Sequence, residues 1–186
     1  MPNAIEMLRE DHQKVKDLFE HFESNESANK KEIVDAALKE LEIHTTLEEE
    51  IFYPAARKAL DEMRDEEGDD AIDEAWEEHH VVKLLSAELK KMRSSDERYD
   101  AKFTVLAESV KHHIQEEEGE LFPKLREHID AEELGEQMMA RKEKLRQRGA
   151  NGSKSRSHAS KTRTASMRNK AKKRTQKRRR ASSGGR

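Results

Sequence analysis

The strongest constraint in this sequence is a unit written twice. His44-Thr45-Thr46-Leu47-Glu48-Glu49-Glu50-Ile51-Phe52-Tyr53-Pro54 is matched by His113-Ile114-Gln115-Glu116-Glu117-Glu118-Gly119-Glu120-Leu121-Phe122-Pro123, with His, Glu and Pro at a constant offset of 69 residues. Upstream of each copy, Glu10-Asp11-His12 corresponds to Glu77-Glu78-His79 at an offset of 67, and Val and Lys follow each His by three and four residues. Each half of the chain therefore reads His … His-x-x-x-Glu … Pro. A chain built this way must put two equivalent halves around one centre.

The surrounding residues keep helical step. Ile5, Leu8, His12, Val15, Phe19 and Phe22 recur every three or four residues, which is one face of a helix. Asn3 is placed to cap it, with Glu6 completing a capping box. Ile33, Ala37, Leu41, His44, Glu48, Ile51 and Ala55 mark a second face, with Pro54 expected to kink the helix or end its regular part. Ile72, Ala75, His79, Val82 and Leu89 mark a third, after a loop around residues 65–70 with Gly68 as its turn residue. Phe103, Leu106, Val110, His113 and Glu117 mark a fourth, interrupted later by Pro123. The fold expected is all-α: an up-down-up-down four-helix bundle with a short C-terminal helical extension over about residues 131–148. The aromatic residues Phe19, Phe22, Phe52, Tyr53, Trp76, Phe103 and Phe122 are expected mostly as core packing.

Six residues stand where those stripes call for hydrophobes: His12, His44, Glu48, His79, His113 and Glu117. A buried carboxylate or imidazole without a partner is costly. Residues four apart share a helix face, so each His-x-x-x-Glu offers a nitrogen and a carboxylate to one region of the core. A pair of divalent metal ions would satisfy all six. Bridging carboxylates suit iron or manganese, whereas a lone tetrahedral zinc needs only four ligands. His80 competes with His79, because a slip of one residue exchanges their roles; the step from Ala75 to Val82 favours His79. Glu116 and Glu118 compete with Glu117, which the repeat selects. His21, His112 and His128 fall off the stripes.

Composition sets the remaining bounds. No Cys is present, which excludes disulfides, iron–sulfur clusters and a cysteine nucleophile. Charged residues make up 41% of the chain, and only 7 Gly and 3 Pro occur, which suits a slender helical bundle and not a large α/β enzyme. No apolar run approaches the roughly 20 residues of a membrane span, and the N-terminus lacks the apolar core of a signal peptide. A cytoplasmic protein with no membrane partner is expected. Residues 149–186 hold 14 of the 37 Lys and Arg and none of the 40 Asp and Glu, so the body before them carries a net charge of −17. Two domains are expected: a metal-binding bundle over residues 1–148 and a disordered Lys/Arg/Ser-rich tail over 149–186. The tail, with Lys172-Lys173-Arg174 and Lys177-Arg178-Arg179-Arg180, suits contact with nucleic acid or another polyanion, or a fold-back onto the acidic body.

Taken together, the His … His-x-x-x-Glu … His … His-x-x-x-Glu pattern, with Phe-Tyr-Pro or Leu-Phe-Pro after each acidic cluster, resembles the hemerythrin-like (HHE cation-binding) domain over about residues 1–130. The resemblance implies a four-helix bundle holding two Fe ions, with Glu48 and Glu117 bridging and His12, His44, His79 and His113 as terminal ligands. The oxygen carriers of that family have a fifth His, four residues after the third-helix ligand. Lys83 stands there in this sequence. Their second carboxylate also follows its His by five residues, not four. Fewer protein ligands leave more open positions, which puts binding or sensing of oxygen, peroxide or nitric oxide, iron handling, and peroxide turnover beside simple carriage. The other reading is a nucleic-acid-associated protein acting through its tail, with the bundle as sensor or scaffold.

Overall fold

The stripes do become helices, and the two prolines decide where those helices change pitch. In the computed structural model of this chain, residues 2–24 and 29–148 are described. The helices are α1 (Ala4–Ser24), α2 (Lys30–Leu47), α3 (Tyr53–Met63), α4 (Glu66–Leu89), α5 (Tyr99–Glu116) and α6 (Phe122–Leu125). A π-helical turn, Glu48–Phe52, joins α2 to α3, and another, Glu117–Leu121, joins α5 to α6. The backbone stays right-handed helical at both junctions, so α2 and α3 form one arm and α5 and α6 another. With α1 and α4 these make the four arms of an all-α bundle, and no strand occurs among the described residues. α1 packs on α2, α4 on α5, and α3 on α4. None of these helices is long and apolar enough to cross a membrane.

The first compact unit is residues 1–142, and its last stretch, 131–142, is helical as expected. Gly135 lies so close to the chain start that a Cβ would sit 2.1 Å from the Pro2 carbonyl oxygen. Met138 is fully buried. Lys142 Nζ reaches both Asp11 carboxylate oxygens at 2.6 Å. In the second unit, 143–186, only residues 143–148 are described, and they are helical. The expected disordered tail, 149–186, lies outside the described residues.

Each π turn has a local cause. Proline has no N–H and its ring collides with the carbonyl four residues back. The chain widens one turn ahead of it: the Tyr53 N–H bonds the Glu48 carbonyl, and the Phe122 N–H bonds the Glu117 carbonyl, each five residues back. The extra residue rotates everything that follows. Ile51 and Ala55, expected on the inner face, are only half-buried, while Phe52, Tyr53 and Ala56 are buried in their place. The second arm shifts identically, burying Leu121, Phe122 and Leu125.

Two other expectations are corrected. Gly68 is not the turn residue before α4; the turn is made by Arg64 in the left-handed region (φ 56°). Asp65 then caps α4 by accepting the Gly68 N–H at 3.0 Å. Gly68 belongs to the first helical turn, pressed on Leu60. Trp76 is 41% exposed, because it sits one position off the inner stripe, and only tilts against Tyr53. At the start of α1, Asn3 caps as expected, its Oδ1 accepting the Glu6 N–H at 3.2 Å.

Candidate metal centre

The stripe residues and the π turns converge on one layer of the bundle. On one side of it lies an apolar core that includes Val15, Phe19, Phe22, Leu41, Val82, Phe103 and Val110. On the other, Phe52 meets Phe122 edge-on at 5.5 Å, and Phe122 stacks on the His12 ring at 5.8 Å. Between these layers stand His12, His44, Glu48, His79, His113 and Glu117, none more than 5% exposed. His80, by contrast, is exposed, and Glu116 and Glu118 are only half-buried.

The six side chains fall into two groups that share one carboxylate. His12, His44, Glu48 and Glu117 form the first; Glu48, His79 and His113 form the second. His12 Nε2 lies 3.1 Å from His44 Nε2, and His79 Nε2 lies 3.2 Å from His113 Nε2. Glu48 Oε1 is 3.1 Å from His44 Nε2, and its Oε2 is 3.3 Å from His79 Nε2. Glu117 Oε2 is 3.2 Å from His12 Nε2 and 3.4 Å from His113 Nε2.

This donor set fits cations. Neither oxygen of Glu48 has a hydrogen-bond partner, and neither does Glu117 Oε2, although all three are buried. The outward Nδ1 atoms of three imidazoles meet carboxylates: His12 with Glu118 at 2.8 Å, His79 with Glu49 at 2.9 Å, and His113 with Glu78 at 2.7 Å. His44 Nδ1 faces Asp11 at 4.0 Å. A neutral imidazole donating from Nδ1 turns its Nε2 lone pair inward. Three such lone pairs, the His44 Nε2 and three bare carboxylate oxygens then crowd one small space. Only positive charge, as protons or as metal, relieves that.

Without metal, protons take the role. Burial would lower the His79 imidazole, but Glu48 and Glu49 raise it to about 9. Burial opposes the same change at His12 and His113, yet Glu117 prevails at the first, and Glu117 with Glu78 at the second. Glu48 is held well below the usual carboxylate range: burial pushes it up, and His44 and His79 outweigh that.

Tyr53, read mainly as packing, donates its hydroxyl to Glu117 Oε1 at 2.8 Å and lies 3.4 Å from His79 Nε2. Burial, then the charges of Glu117 and Glu48, push this phenol well above its usual value, so it stays protonated. Lys83 offers nothing to the centre; its Nζ pairs with Glu49, behind His79. Lys16 stands likewise behind Glu118 at 3.5 Å. Beside the imidazoles, Val15, Leu41, Val82, Val110 and Ile114 wall a cavity of about 10 Å³, about the room one water needs.

From sequence alone the outer carboxylates have no supporting role, and Glu118 figures only as a rival of Glu117, though their signal is present. An acid precedes His12 and His79, as Asp11 and Glu78. Another follows Glu48 and Glu117, as Glu49 and Glu118. The repeat carries the support along with the donors.

Known proteins share the family and the helical fold. The Hemerythrin HHE cation binding domain family matches residues 3–125. The crystal structure of a hemerythrin HHE cation-binding domain-containing protein from Mycobacterium kansasii superposes with a TM-score of 0.67 at 30% identity, covering 81% of this chain and 91% of that one. A protein of Nostoc named DNA nickase is 29% identical over 150 residues, which is 78% of this chain and 41% of that protein. An uncharacterized hemerythrin-like protein of Schizosaccharomyces pombe is 27% identical over 134 residues, 72% of this chain and 64% of that one. The chain thus spans less than two thirds of the length of either curated relative.

Proposed function

This chain belongs to the hemerythrin HHE cation-binding family, and from that premise we propose that it holds a pair of iron ions in its bundle core and binds a small ligand there, oxygen, nitric oxide or peroxide, as a sensor or binding protein. The observation that carries this reading is Glu48, a fully buried carboxylate with both oxygens free of hydrogen bonds, set between two His pairs. His12 and His44 would hold one iron and His79 and His113 the other, with Glu48 shared and Glu117 beside both. Iron in such a site supplies electrons to a bound diatomic or peroxide. Manganese suits the same donors less well.

The chain's own residues do the positioning. Glu118, Glu49 and Glu78 accept hydrogen bonds from the Nδ1–H groups of His12, His79 and His113 and so fix which nitrogen faces inward. The Tyr53 hydroxyl ties Glu117 Oε1 and leaves Oε2 to the centre. The aliphatic wall bounds an adjoining space of about 10 Å³, about the room one water needs. The position at Lys83, occupied by salt-bridged ammonium and not imidazole, adds no ligand, which argues against simple carriage.

The test is optical. Anaerobic Fe²⁺ loading followed by air, nitric oxide or hydrogen peroxide should give new near-ultraviolet and visible absorption with each reactive ligand. A loaded protein that gives no change with any of the three would exclude the small-ligand role.

A second reading has one observation behind it: the Nostoc relative is named DNA nickase, and residues 149–186 carry a charge of +14. On this reading the tail engages nucleic acid through phosphates. Cutting after Arg148 should abolish DNA binding and spare iron loading; equal binding by both forms, or by neither at low salt, would reject it.

A further inference from the structure

The two halves of the bundle repeat each other at the centre but not on their flanks. Next to His113, a cleft of about 70 Å³ opens between α4 and the second π turn, lined by Glu74, Glu78, Glu116 and Glu120. Buried His113 and Glu117 also line it, so it reaches the centre itself. The cleft has several times the space one water needs. Glu78, Glu116 and His112 present ligand atoms within 4.8 Å of one another at its edge. Glu117, 2% exposed, is among the lining residues, and its Oε2 has no hydrogen-bond partner.

The equivalent flank of the other half has none of this. The repeat maps Glu74 and Glu78 onto Met7 and Asp11, and His112, Glu116 and Glu120 onto Ile43, Leu47 and Ile51. Ile43 and Leu47 are buried, and Asp11 is held by Lys142 from the helical stretch 131–142. One flank carries buried Ile43 and Leu47 and an Asp11–Lys142 ion pair. Its counterpart is acidic, open and continuous with buried His113 and Glu117.

We propose that this open flank is the entry port of the centre: an acidic vestibule of Glu74, Glu78, Glu116 and Glu120, with His112, that takes a hydrated divalent cation from solvent and passes it to His113 and Glu117. Clustered carboxylates concentrate a cation at a cleft and raise its association rate. Successive oxygen and nitrogen donors let it exchange water stepwise on the way in. The inference rests on the metal-centre reading, and it adds the route.

Uptake of Co²⁺ by metal-free full-length protein, followed by stopped-flow visible absorption, tests it. The double variant Glu74→Gln/Glu120→Gln removes two exposed carboxylates that touch none of the six central donors. It should load roughly tenfold more slowly at low salt, reach the same plateau, and lose much of its sensitivity to ionic strength. The matched variant Glu10→Gln/Glu20→Gln, with the same charge change on exposed α1 positions, should stay within about twofold of the parent. Equal rates for the vestibule variant and the parent, or equal slowing in both variants, would overturn the port. A parent chain that takes up no Co²⁺ at all would overturn the centre, and the port with it.

Discussion

Glu48 is the residue on which most depends. It is fully buried, it belongs to both donor groups, and its two oxygens lie 3.1 Å from His44 Nε2 and 3.3 Å from His79 Nε2. Glu48→Ala or His44→Ala should therefore strongly reduce bound iron, while His21→Ala and His80→Ala, which alter exposed side chains, should leave it unchanged; metal analysis of loaded protein distinguishes them. Depletion by His80→Ala with retention by His79→Ala would mean that α4 is rotated by one residue. Protons provide an independent check. The metal-free His79 titrates at about 9, above its ordinary value, so near neutral pH it carries a proton that a metal ligand must lose. Loading should then acidify a weakly buffered solution, and affinity should climb as pH rises toward 9. An indicator dye that records no proton release on loading would contradict this. The six donors were legible in the sequence because they break a hydrophobic stripe. Asp11, Glu49, Glu78 and Glu118 break no stripe: in a chain with 40 acidic residues, only their matched places in the repeat mark them, and the fold shows which imidazole each one faces.

At the scale of the helices, periodicity located the arms, and the prolines marked where regularity fails. What Pro54 and Pro123 could not show is how it fails. A kink, a break and a widened turn all satisfy a missing N–H, and only the widened turn adds a residue and moves Phe52 and Tyr53 onto the inner face. That shift is what brings the Tyr53 hydroxyl to Glu117. Gly68 and Gly119 likewise cannot be told apart by propensity and differ in packing. Gly119 is in the second π turn with open space around it, and a Cβ would meet nothing within 4 Å. Gly119→Ala should stabilise the protein by about 0.5–1 kcal/mol through lower backbone entropy in the unfolded chain. At Gly68 a Cβ would sit 2.4 Å from Leu60 Cδ2, and Leu60 is fully buried. Gly68→Ala should lose roughly 1–3 kcal/mol by overpacking. Chemical denaturation of both variants reads the two signs; the same sign in both would show that the helix start around Asp65 relaxes freely.

The whole molecule combines an acidic bundle with a core layer that repels itself unless positive charge is supplied. Its stability should follow metal occupancy, since a cation that binds only the folded chain stabilises it by mass action. At a hundredfold excess over Kd the gain is about 2.7 kcal/mol, or roughly 5–10 °C in melting temperature for a chain of this size. The chelated protein should melt lower by that amount and remain helical, because the apolar layer of Phe19, Phe22 and Phe103 packs without the centre. The most direct measurement is iron content per chain after anaerobic loading and removal of excess, for the parent and for Glu48→Ala in parallel. Two buried groups sharing Glu48 require a pair of irons in the parent and a large loss in the variant. A single iron in the parent, or a pair that survives loss of Glu48, would contradict a centre built on that shared carboxylate.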